Sequence, residues 1–162
     1  MSLPGNRRCA GAEVLEQTLA ALPGLRFALE GMDALCAAQL AGTSALYVRA
    51  LTTALQLAGA FSRDPHALHL IGSVQEEYLC LRLELDALSL SDAQAHDFFA
   101  LASPARAASA AESLGLAPAV AQHILRALGG DLQLVKDGLA GGYLQARLRR
   151  AAAPVALAGV AA

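Results

Sequence analysis

The chain has 162 residues, enough for one domain with a real core. Hydrophobic residues make up 56%, mostly Ala and Leu, aromatics only 4%, and there is no Trp. A formal net charge of −2 gives no electrostatic footprint for nucleic acid, which is therefore not an expected partner. Charged residues at 16% fall below the roughly 25% usual for soluble domains. Part of the surface is thus expected to be covered by a second copy, a protein partner or a membrane surface.

Residues 1–11, with Pro4, Gly5 and Gly11, read as a flexible lead-in. Val14, Leu15, Leu19 and Leu22 share one face of a helix predicted over 12–22, which Pro23-Gly24 ends. A second helix is predicted over 25–40, with Gly42 closing it. Next comes the stretch that organises the reading, an apolar helical hairpin over 43–88. Leu46, Ala50, Ala54, Leu57 and Phe61 line one arm, and Ile71, Val74, Tyr78, Leu81, Leu85 and Leu88 line the other. Asp64-Pro65 reads as the start of the second arm, an N-cap followed by proline at the first helical position. Leu79-Cys-Leu-Arg-Leu-Glu-Leu85 alternates with period two, as a strand would. Helix propensity and the lack of β-branched residues there favour helix.

Ser91 and Gln94 form the capping box of a further helix that carries Phe98, Phe99 and Leu101. An Ala-rich helix over 105–114 ends at Gly115, and Pro118 opens another through Leu128. Gly129-Gly130 closes that one, and Asp131 caps a last helix reaching about residue 153. The apolar tail, 154–162, is frayed or docked. The expected fold is therefore all-α: a compact bundle of about six to eight helices, one domain over 12–153, around the central hairpin.

Cys9, Cys36 and Cys80 are odd in number and scattered, against a disulfide framework or a zinc knuckle. They fit reduced thiols in the cytoplasm. No run of about twenty apolar residues predicts a transmembrane segment.

His66 and His69, three apart, share a predicted helix side with Ser73, Glu76 and Glu77. Two imidazoles and a carboxylate can hold a divalent metal. The spacing of zinc and diiron helix motifs is absent, and a solvated polar face with no metal is expected. Leu90-Ser-Asp-Ala-Gln-Ala-His96, thirty residues after His66 and twenty-seven after His69, resembles the proximal and distal histidine pattern of globins. That resemblance implies haem ligated by His96, with His66 or His69 facing the ligand. Otherwise no cofactor is expected.

The stretch 111–139 is similar to a helix-turn-helix in its Ala and Gly spacing. Pro118 and the single Arg126 fit that poorly. Leu-Gly-Leu, a helix, Gly-Gly-Asp and a helix also resemble a ubiquitin-associated three-helix unit. This likeness implies a contact loop at Leu114, Gly115 and Leu116. Arg147, Arg149 and Arg150 read as the basic end of a helix, offsetting its dipole or touching anionic lipid. No Gly-x-Ser-x-Gly, Walker or Gly-x-Gly-x-x-Gly pattern occurs. The expected function is a non-enzymatic interaction or accessory protein of the adaptor or chaperone type, self-associating or bound to a protein partner. A haem or small-ligand carrier and a peripheral membrane protein are the alternatives.

Overall fold

A computed structural model describes residues 7–101 and 103–151. The expectation of an all-α bundle is overturned, because much of the chain is strand. The order is β1 (Arg8–Ala10), α1 (Gly11–Ala20), β2 (Phe27–Glu30), α2 (Asp33–Ala37), β3 (Gln39–Ala41), α3 (Ser44–Ala60), β4 (Leu68–Gln75) and β5 (Tyr78–Leu85). Then follow α4 (Asp92–His96), α5 (Pro104–Ala107), a 3-10 turn (Glu112–Leu114), α6 (Ala117–Ala127), β6 (Asp131–Lys136) and β7 (Gly142–Arg149).

Five strands form one mixed sheet in the order β2-β4-β5-β7-β6, and β1 pairs with β3 beside it. Only β2 with β4 is parallel in the large sheet; its other pairs are antiparallel. Alternation decides which face is inside. Leu70, Leu83, Leu144 and Leu134 stand in one cross-strand row, and Leu81, Ala146 and Leu132 in the next. All are buried in one core with Val14 and Leu15 of α1, Ala54 and Leu57 of α3, and Ile124 and Leu125 of α6. Helices thus cover one face of the sheet. The other face carries Arg82 over the ring of Tyr143, and Arg147 over Tyr78.

The central 43–88 segment is half as expected. Its first arm is α3, but its second is the β4–β5 hairpin. Asp64 does not start a helix. Its Oδ1 accepts from the His66 amide and its carbonyl from the Ala67 amide, making a tight turn into β4. The helix expected over 25–40 is replaced by β2, α2 and β3, and the last helix by the β6–β7 hairpin. Gly31 explains part of the first change. It has φ +70, and a Cβ there would collide with the Gly72 carbonyl oxygen, so β2 and β4 approach at a glycine pair. Of the expected lead-in, Arg8–Ala10 forms β1. The tail 154–162 lies outside the described residues.

Candidate functional site: an anion groove beside a lid

Between β5 and α6 the chain crosses the end of the α/β layers in one long stretch, 86–116. Among its described residues it holds α4, α5 and the 3-10 turn. A connection this long inside a folded unit is commonly a lid or binding loop. It starts tethered, because Ala87 donates to the Phe61 carbonyl and Leu88 to the Ala140 carbonyl. Its inner side is apolar. Leu88, Leu90, Ala95, Phe98 and Phe99 are buried with Leu57 and Phe61 of the α3 end.

One charged side chain organises the outer part. Ser103 caps α5, its Oγ accepting from the Arg106 amide, with Pro104 in the first turn. Arg106 is only 4% exposed. Its Nη1 donates to the carbonyls of Phe98 and Ala100, both at 2.6 Å. Its Nη2 donates to Leu101 at 2.8 Å and its Nε to Gly115 at 3.1 Å. Four of the five guanidinium N–H groups are thereby used. Among the described residues no ion pair includes Arg106, and the bonds described for its guanidinium go to carbonyl oxygens.

Gly115 follows the 3-10 turn at φ 57 and ψ −124. Then α6 begins with no side-chain cap and with Pro118 in its first turn. Its leading amides have no partner within the helix. A groove of about 420 Å³ opens here, lined by Ser103, Arg106, Glu112, Gly115 and the exposed Leu101 and Leu116 among others. A buried positive charge beside a helix N-terminus suits an anionic group. Glu112 opposes one.

The structure places the expected site residues as follows. Gly115 and Leu116 line the groove, while Leu114 packs partly buried against the core. The three-helix unit implied for that loop does not form, because Gly129-Gly130 leads into β6. His66 is exposed before β4. His69 lies on β4 with Nε2 3.2 Å from a Glu30 carboxylate oxygen. His96 ends α4, exposed. The shared helix face assumed for His66 and His69 is thus strand and turn, and the globin-like helices are absent. Among the described residues no three His, Cys, Asp or Glu side chains gather as a metal site. Arg147 and Arg149 stand on β7 and Arg150 just beyond it, not on a helix. Arg150 donates to the Glu76 carbonyl.

Sequence reasoning missed Arg106, Ser103 and Leu101 as a unit. The available signal was slight: one charged residue inside an otherwise small, uncharged run after Ser103-Pro104.

No family model and no curated protein matches the sequence. Solved structures do match in fold. The mycobacterial sensor histidine kinase MprB gives a TM-score of 0.68 at 16% identity, covering 90% of this chain and 97% of that one. The catalytic domain of histidine kinase ThkA gives 0.70 at 10%, covering 89% and 95%. Full-length ShkA in complex with AMPPNP gives 0.66 at 15%, covering 91% of this chain but 32% of that one. At these identities the likeness shows the fold. It is the fold of a histidine kinase catalytic domain, which overturns the expectation of a non-enzymatic accessory protein and its globin-like alternative.

Proposed function

We propose that the chain is a nucleotide-binding domain of the histidine kinase catalytic type, holding the phosphate end of an adenine nucleotide in the groove at Gly115. The observation that carries this reading is Arg106, buried with no ion-pair partner among the described residues, beside the uncapped start of α6. The fold supports it, and so does the AMPPNP complex of one neighbour.

The groove suits such a ligand at both ends. The α6 amides and the Arg106 charge favour phosphate. Leu101 and Leu116, 72% and 57% exposed, offer apolar contact to a base or ribose. The inner side of the lid does not suit it, since Leu57, Phe61, Leu88 and Phe98 fill that space with apolar side chains. When bound, a nucleotide supplies a transferable phosphoryl group. The acceptor, by the chemistry the neighbours are named for, is a protein histidine.

The same reading places the domain in the cytoplasm, against a partner protein or a second copy that carries the acceptor. Among the described residues no helix is long and apolar enough to cross a membrane, and Cys9, Cys36 and Cys80 are free thiols.

Calorimetric titration of the whole chain with ADP, with and without magnesium, tests the reading. Saturable binding is expected, weakened at least tenfold by Leu116→Asp with an unchanged circular dichroism spectrum. No heat at millimolar ADP, or binding that ignores Leu116→Asp, would overturn it.

A further inference from the structure

We infer that Arg106 is a latch: it ties the 98–101 part of the lid to the start of α6, and an anion in the groove releases it. This rests on the nucleotide reading for the identity of the anion.

The latch follows from connectivity. Three of the four carbonyls that Arg106 holds belong to Phe98, Ala100 and Leu101, and the fourth belongs to Gly115. One guanidinium therefore spans two segments that are otherwise joined by an irregular path. Ser103 fixes the base of the arginine by capping α5. Among the described residues the other backbone bonds of the 98–101 turn are from Phe98 to the Ala95 carbonyl and from Ala100 to the Asp97 carbonyl. Both are local to that turn, so neither ties it to α6.

The release follows from charge. Arg106 is a buried cation, 4% exposed. Carbonyl dipoles compensate it less well than a full negative charge at similar distance. A phosphate in the groove competes for the guanidinium of Arg106, a residue that lines it. Beyond the one N–H not used in these four bonds, each N–H turned toward the anion is taken from the carbonyl of Phe98, Ala100, Leu101 or Gly115. Binding and lid opening are then linked, and the ligand shifts the lid only through its stronger contact with the open form.

Amide hydrogen exchange on the whole chain tests this, with inorganic pyrophosphate as the probe and its saturation set by calorimetry. Peptides covering 95–101 are expected to exchange at least tenfold faster in Arg106→Gln than in the wild-type chain. Saturating pyrophosphate should speed the same peptides in the wild type and leave Arg106→Gln unchanged. Arg106→Lys, which keeps the charge with fewer donors, should fall between the two and serves if Arg106→Gln does not fold. Wild-type exchange in a folded Arg106→Gln or Arg106→Lys would overturn the latch. Bound pyrophosphate with an unmoved lid would overturn the release while the nucleotide reading stands. No pyrophosphate or ADP binding at all would instead remove the nucleotide reading, and the release with it.

Discussion

The ring of Phe98 meets the ring of Phe61 edge-on, with centroids 5.6 Å apart and planes at 69°. Phe61 closes α3 and Phe98 belongs to the lid, so this pair joins the lid to the main core. Phe99 continues it, 5.1 Å from Phe98. Edge-to-face pairs add to the burial of each ring. Phe98→Ala removes a fully buried aromatic side chain and should cost about 3–5 kcal/mol in urea denaturation. A loss under about 1 kcal/mol would mean that the lid is not part of the cooperative unit.

Gly31→Ala should destabilise the chain by about 2 kcal/mol or more, combining a left-handed backbone with a collision against the next strand. The Cβ would meet the Gly72 carbonyl oxygen, which cannot move without disturbing the β2–β4 register. Gly24→Ala is the control, because a Cβ there meets nothing within 4 Å. Thermal melts of the two variants separate the effects.

Stability should fall at alkaline pH, and the sign can be worked out. Burial, and then the Glu13 charge, raise the Cys9 thiol above its ordinary value of 9.0. Burial, then Cys9, push the Tyr47 phenol well above its ordinary 10.0, against a smaller lowering by Arg149. Both groups are neutral in the folded chain at pH values where the unfolded chain has begun to ionise. Their contribution is whole below about pH 9 and is lost as pH rises beyond it. Tyr47→Phe removes the 2.6 Å bond to the Ala41 carbonyl and should cost about 1 kcal/mol at neutral pH. Its urea midpoint should then decline less steeply between pH 9 and 11 than that of the wild type.

On the proposed nucleotide reading, Glu112→Gln should tighten ADP binding about threefold, since it removes a negative charge from the wall of the groove proposed for phosphate. The gain should shrink as salt is raised, because the site is open to solvent. Calorimetry at two ionic strengths checks both statements. Weaker binding in Glu112→Gln would mean that the carboxylate contacts the ligand favourably.

Much of the helical half was legible. The stripe Leu46, Ala50, Ala54, Leu57 and Phe61 predicts α3, and the helix read from Pro118 is α6 within a residue or so. The Ser91 and Gln94 capping box is present with both of its bonds. The sheet is less legible for a specific reason. Leu79 to Leu85 alternates with period two, yet Leu, Arg and Glu are helix formers, so local propensity and pattern point opposite ways. Pairing with β4 and β7 on either side decides the matter, and no local scale contains those neighbours. The same holds for β6 and β7, where Asp131 at a strand start resembles a helix cap. In the groove, Gly115 and Leu116 were singled out for a different motif. Arg106 was not, because its role depends on four carbonyls contributed by two separate stretches.

The order of strands also bears on how the chain is made. The last described strand, β7, lies between β5 and β6. Until the ribosome has released it, β5 has one unpaired margin and β6 has no antiparallel neighbour. A nascent chain stopped before residue 142 would present the leucines of β5 and the bare backbone of two strands to any other copy nearby. Both of these strand edges stay open until residues 142–149 are available to pair with them.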